Sequence, residues 1–311
     1  MKEKFSIMKR AVQIICSFLL LGCFTGGLQA AGGAGFQLVS KTGTAVINWT
    51  DGVLEAVGSG TPPEAYYGDE RGREAALAAA IENARSKLMA AVKGIVIDAG
   101  GSVGDLIEDS SVVQAAIKEM VDKAEVVQQE FTTDGSVEVT VQMSMTGGFS
   151  QLVLPEVIRQ IESVKSIATS LEPQSEEGTG DISTFVEIVT GPYTGMIVDS
   201  RGIGITPCMV PRVCDENGQE VFGPAYASRE FAVQNGMIGY ASDMDEAARH
   251  PRVADRPLIL KGLRSGGTDG YDIIVSNVDA ARLRSAFENL ALLRQCRVMI
   301  VVDMPNTYGE G

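Results

Sequence analysis

Apolar residues between Asp69 and Ile95 recur at steps of three and four: Leu77, Ile81, Ala84, Leu88, Val92 and Ile95. This spacing predicts one apolar stripe along an α-helix, with Glu74, Glu82, Arg85 and Lys93 largely outside it. Ala75, Ala76, Ala79 and Ala80 favour the helix and let a neighbouring element come close. Asp69 suits the N-cap, and Gly94 weakens the far end. A stripe of this kind has to be buried on another element, and the β-prone segments on either side are the candidates.

Upstream, Ala45–Trp49 and Val53–Val57 flank Thr50-Asp51-Gly52, the pattern of a hairpin. Downstream, Gly100–Gly104 breaks the chain, and a second helix is expected from about Ser111, with Val113, Ile117, Met120 and Val121 on one face. Val126–Phe131 then leads through Asp134-Gly135 into a return strand that alternates without a fault. Val137, Val139, Val141, Met143 and Met145 fall on one side and Glu138, Thr140, Gln142 and Ser144 on the other. One face is therefore expected to be buried and one wet. The expected fold class is α+β, an antiparallel hairpin sheet covered on one face by a long helix, followed by a second mixed α+β domain.

In that second part, Phe185–Val189, Met196–Val198, Glu220–Phe222, Tyr271–Val275 and Arg297–Val302 read as strands, with a turn at Asp215–Gly218. Pro207–Val213 reads extended, Ser276 caps a helix, and Leu283, Phe287 and Leu290 form its stripe. The expected organisation is a signal peptide over 1–30, a flexible tether over 31–44, a first domain over 45–150, a connecting helix and linker over 151–181, a second domain over 182–305 and a tail over 306–311. The linker rests on Ser170–Asp181, rich in acidic, Gly and Pro residues.

Charge and targeting signals narrow the class. Net charge is −14 over 311 residues. Residues 1–30 hold Lys2, Lys4, Lys9 and Arg10 against Glu3, so the remainder carries −17. Nucleic acid is not an expected partner, and the acidic body has no attraction for an anionic membrane surface. The basic start followed by the apolar run Ala11–Phe24 reads as an export signal, too short for a comfortable membrane span. Two processing sites compete. Leu20-Leu21-Gly22-Cys23 has the form of a lipobox, which makes Cys23 the lipidated first residue; Leu28-Gln29-Ala30 offers ordinary cleavage after Ala30. The lipobox reading is favoured, giving an exported protein held at the outer membrane by an N-terminal lipid, with a soluble periplasmic protein as the alternative.

Candidate chemistry is sparse. His250 is the one histidine, in the charged turn Ala-Arg-His-Pro-Arg, where a surface position is expected. Triads, Cys-His pairs and multi-histidine metal sites have nothing else to use. No catalytic residues, cofactor or metal site is assigned. Cys208 and Cys214 would form a disulfide only if the segment between them folds back, since a straight strand would hold their Cα atoms about 20 Å apart. Asp199-Ser200-Arg201-Gly202-Ile203-Gly204 puts an acid and a base in a tight turn, so Asp199 and Arg201 form a candidate binding turn. Its glycine spacing does not match a phosphate-binding loop.

Ala56-Val57-Gly58-Ser59-Gly60, Arg73-Glu74-Ala75-Ala76 with Ala79, Ala80 and Ala84, Val126-Val127, and the Asp134-Gly135 hairpin with its Val-x-Val-x-Val return carry a resemblance. Over about residues 45–147 the chain resembles the bacterial lipoprotein Lpp-twenty family and the similar N-terminal domain of the flagellar assembly protein FlgT. The resemblance implies a non-enzymatic envelope or surface lipoprotein and transfers no catalytic residues. The expected function is a cell-envelope binding or assembly module, surface or flagellum related, with an envelope protein as partner. The alternative is an envelope hydrolase using carboxylates of the second domain, such as Asp199 and Asp215.

Overall fold

The helix expected after Asp69 spans Glu70–Lys93 (α1) in the computed structural model, which describes residues 38–159 and 193–304 apart from 44, 268 and 286. Asp69 caps it, its side chain accepting from the Arg71 backbone N–H. The buried row of α1 is Gly72, Ala76, Ala80, Ala84, Leu88 and Val92, while Leu77 and Ile81 are half-buried flanks. The centre of the stripe is thus a line of small residues. The cause lies in the strand beneath: a Cβ added to Gly58 would stand 2.2 Å from the Ala84 backbone N. Backbone meets backbone there, and large side chains pack to either side.

That strand belongs to an antiparallel sheet. Val39–Thr42 (β1), Ala45–Asn48 (β2) and Val53–Gly60 (β3) form a meander. Residues 39–42, expected in a flexible tether, are β1, because Leu38 is buried and Ser40 to Thr42 complete the ladder along β2. After α1 come a two-stranded ribbon, Val96–Asp98 (β4) with Gly101–Ser102 (β5), and two helices, Val103–Asp109 (α2) and Ser111–Asp122 (α3). The helix α2 begins where the sequence reads as a break. Ser102 and Asp105 form a capping box that starts it directly after the glycines. Glu125–Phe131 (β6) and Val137–Ser144 (β7) complete the sheet in the order β1-β2-β3-β7-β6. Val137, Val139, Val141 and Met143 face inward as the alternation predicts.

A short helix, Gly148–Val153 (α4), follows. Residues 155–159 form a turn where a connecting helix was expected, with Pro155 ending the helical run and Ile158 buried. The expected linker at Ser170–Asp181, the strand at Phe185–Val189 and Cys23 lie outside the described residues.

The second sheet takes Gly195–Asp199 (β8), Val213–Cys214 (β9), Glu220–Phe222 (β10), Gly239–Ala241 (β11), Pro257–Gly266 (β12), Asp272–Val275 (β13) and Val298–Val301 (β14). Its order is β10-β9-β13-β12-β8-β14-β11. The run β12-β8-β14-β11 is parallel, and β13 turns back antiparallel to β12. Four helices connect these strands: Arg229–Asn235 (α5), Met244–Arg249 (α6), Asn277–Arg284 (α7) and Phe287–Arg294 (α8). The molecule is α+β, an antiparallel sheet under a long helix followed by a mixed sheet.

The two sheets share one apolar core running from Leu38 to Val302. Backbone bonds join the β4–β5 ribbon to the segment leading into β9: Met209 and Val210 N–H donate to the carbonyls of Val96 and Ile97 at 3.0 and 2.7 Å. The Arg229 guanidinium donates to the carbonyls of Gln151, Leu154, Pro155 and Ile158, closing the end of α4. Among the described residues no helix is long and apolar enough to cross a membrane.

Candidate functional site

Exposed aromatic side chains gather at one end of the first sheet. Among the described residues these are Tyr66, Tyr67 and Phe131, at 39, 59 and 56% exposure. All three line one cleft of about 420 Å³, together with Pro62, Asp69, Arg73 and the Thr132–Gly135 hairpin tip. Each arrives by a local rule. Pro62 and Pro63 cannot extend β3 and lead into a 3₁₀ turn, Glu64–Tyr66. The first turn of α1 lies against that turn, since a Cβ on Gly72 would meet the Tyr66 carbonyl at 2.2 Å. Phe131 ends the edge strand β6 opposite Val137.

Charge rims the aromatic floor. The Arg71 guanidinium sits 4.8 Å from the Tyr66 ring centroid and pairs with Asp69 at 2.6 Å. The Arg71 hydrogen bond holds the Asp69 carboxyl below its usual range. The Thr132 hydroxyl and Ser136 do the same for Asp134, fixing the hairpin tip. An apolar, stackable surface with polar edges binds flat or extended ligands through ring faces and rim hydrogen bonds.

The Asp199–Arg201 turn lies at the carboxyl end of β8. Asp199 Oδ1 accepts from Arg201 Nε at 2.8 Å and Oδ2 from Lys261 Nζ at 3.1 Å. The backbone N–H of Gly202 donates to Asp303 at 2.7 Å. The Arg201 guanidinium beside Asp199 holds that carboxyl down at about 2. Asp199 is therefore a fixed anion whose partners are internal. Asp215 is likewise occupied, accepting from the backbone N–H groups of Asn217 and Gln219 and from Arg284. Asp199 ends β8 and Asp215 follows β9, strands that lie three spacings apart in the sheet, β8-β12-β13-β9, about 14 Å between strand axes.

Cys208 and Cys214 are separate buried thiols, as is Cys296. The chain between the first two bends at Met209 and Val210, where their N–H groups bond to β4, and then enters β9 with the two thiols unlinked. Burial pushes the Cys208 and Cys296 thiols up to about 12. His250, expected at the surface, is half-buried at the end of α6, where its Nδ1 accepts from the Arg252 N–H at 3.1 Å. Asp243 caps α6 as a structural residue. Among the described residues no group of three His, Cys, Asp or Glu side chains is placed to hold a metal ion.

The sequence reading passed over the aromatic cleft. Its signal was Pro62-Pro63-Glu64-Ala65-Tyr66-Tyr67-Gly68, adjacent tyrosines in a proline-led loop with no apolar periodicity to bury them.

Comparison with the curated proteins gave no match. Over residues 195–304, which span the second sheet and its helices, the chain is similar to a bacterial protein domain, matching the family model described as the second domain of Treponema pallidum Tp0624.

Proposed function

We propose that this chain is a non-enzymatic binding or assembly module of the bacterial cell envelope, and that it takes an envelope protein partner in the Tyr66–Tyr67–Phe131 cleft. The observation that carries this reading is the convergence of the exposed side chains of Tyr66, Tyr67 and Phe131 on one cleft. Aromatic anchors with a polar rim are the residues that supply most of the affinity in protein interfaces. The resemblance of residues 45–147 to the Lpp-twenty family supports an envelope setting. The Leu-Leu-Gly-Cys run supports export and anchoring through an acyl group on Cys23.

The test is a photo-crosslinking amino acid placed at Tyr67 in the full chain, expressed in the bacterium that makes it. A discrete adduct with one envelope protein is expected from Tyr67 and not from Val112, an exposed residue of α3 outside the cleft. Identical adducts from both positions, or none from Tyr67, would reject the cleft as the partner site. Intact mass and detergent partitioning of the parent and of Cys23→Ser test the anchor separately.

A further inference from the structure

A second cavity, of about 390 Å³, opens at the edge of the second sheet where the parallel strands begin, opposite the Asp199 turn. Its charged lining residues are Arg252 and Arg297, with His250 beside them and no acid among the described lining residues. In a chain of net charge −14 this local sign reversal is unusual. Among the described residues neither arginine makes an ion pair. Arg252 is instead held by backbone carbonyls, donating to Gly236 and Cys296 at 3.1 and 2.8 Å and also to Asn235. Its Nε is buried with no hydrogen-bond partner. Arg297 has one long bond, 3.4 Å, to the Thr194 carbonyl, on an exposed side chain that lines the cavity.

The third donor is fixed by its tautomer. Because His250 Nδ1 accepts from the Arg252 N–H, the proton of the neutral ring sits on Nε2. Burial and the neighbouring Arg252 favour that neutral form, against a weaker opposing pull from Asp51, which does not line the cavity. The remaining walls are the apolar Phe231 and Pro251, with the polar side chains of Asn235 and Gln295 and the buried Cys296 between them. The backbone is shaped here too: Cys296 takes a left-handed conformation, φ 56°, at the turn that ends α8 and delivers Arg297 to the rim. Side chains other than glycine adopt this conformation at some cost.

We propose that this cavity binds a small organic anion, its carboxylate or phosphate group held by Arg252, Arg297 and His250 and its apolar body lying against Phe231 and Pro251. Guanidinium groups recognise such oxyanions through charge-assisted hydrogen bonds, and the volume lies in the range of small-molecule sites, larger than a bare ion needs. This site is independent of the aromatic cleft, and its failure would leave the partner-binding reading untouched.

The test is calorimetric titration of the full chain with phenyl phosphate, benzoate and inorganic phosphate. Saturable one-to-one binding of phenyl phosphate or benzoate is expected, and the preferred one of the two identifies the oxyanion. Arg297→Ala should weaken it about tenfold or more. That residue is exposed, so an unchanged melting temperature will show the fold intact. Arg249→Ala removes a nearby exposed charge that does not line the cavity and should bind like the parent. Equal weakening in both variants, unaltered affinity in Arg297→Ala, or binding of inorganic phosphate as tight as that of phenyl phosphate would overturn the proposal.

Discussion

The ring of Trp49 stands edge-on to that of Tyr240, centroids 5.7 Å apart and planes at 75°. One ring comes from the β2–β3 turn of the first sheet and the other from β11, the edge of the second. Each is held by a polar tip: the Trp49 indole N–H donates to Ser40 Oγ at 3.0 Å. The Tyr240 hydroxyl accepts from the Cys208 N–H and donates to the Cys208 carbonyl, both at 2.9 Å. This contact makes the packing of the two sheets specific as well as apolar.

Tyr240→Phe should therefore destabilise the protein by about 1–3 kcal/mol, because it leaves a buried N–H and carbonyl of Cys208 without partners while keeping the ring. Urea titration measures this. A change below about 0.5 kcal/mol would mean that the hydroxyl bridge adds nothing. If the sheets unfold as one unit, Trp49 fluorescence and far-ultraviolet circular dichroism will give one midpoint in the parent.

Gly58→Ala should be more damaging than its single methyl suggests. The new Cβ would meet the backbone of α1 at 2.2 Å, so helix and strand must separate. Overpacking of this kind costs about 1–3 kcal/mol or more. Ala79→Ser, on the exposed face of α1, should stay within about 0.5 kcal/mol. Equal melting temperatures for the two variants would contradict the backbone contact between α1 and β3.

The Asp199 network predicts a pH dependence with a definite sign. Its folded carboxyl is depressed to about 2 from an ordinary 3.8, so its contribution is complete above the ordinary value and is lost as pH falls from about 4 through about 2. Asp199→Asn should cost about 1–2 kcal/mol at pH 7, allowing for solvent screening around the partly exposed Arg201 and Lys261. Below pH 2 the parent and variant should converge. A stability difference that persists unchanged from pH 7 to pH 2 would assign the effect to packing.

Thiol chemistry gives a fourth expectation. With their thiols pushed up to about 12 by burial, Cys208 and Cys296 should resist maleimide at pH 8 in the folded protein and react promptly in denaturant. Peptide mapping under non-reducing conditions should recover Cys208 and Cys214 on separate, unlinked peptides. A linked pair would show that the segment between them rearranges on oxidation.

What could be read in advance follows from how local each signal is. The Val137–Ser144 alternation is visible because one side of β7 is buried and the other wet. The helix α1 shows its period and cap, though its centre is set by Gly58, a contact no periodicity reveals. Strand β12 escaped notice because Ile259 and Leu263 are exposed beside buried Leu258 and Leu260, and Gly262 interrupts the run. Tyr66 and Tyr67 were legible as loop aromatics, but Phe131 joins them only through strand pairing. Arg252 and Arg297 meet only because β14 pairs with β8 and β11, so their cavity has no signature in sequence.

The position of β8 has a consequence for how the protein is made. Ser200 donates both its backbone N–H and its hydroxyl to the Val301 carbonyl, 101 residues further along the chain. A ribosome delivers the chain from its N-terminal side, so Met196, Ile197 and Val198 emerge before β12 and long before β14, the two strands that flank them. During that interval they are adhesive surface. Completion of the second sheet is therefore a late event, and the hundred-residue delay is the period in which a chaperone would have most to hold.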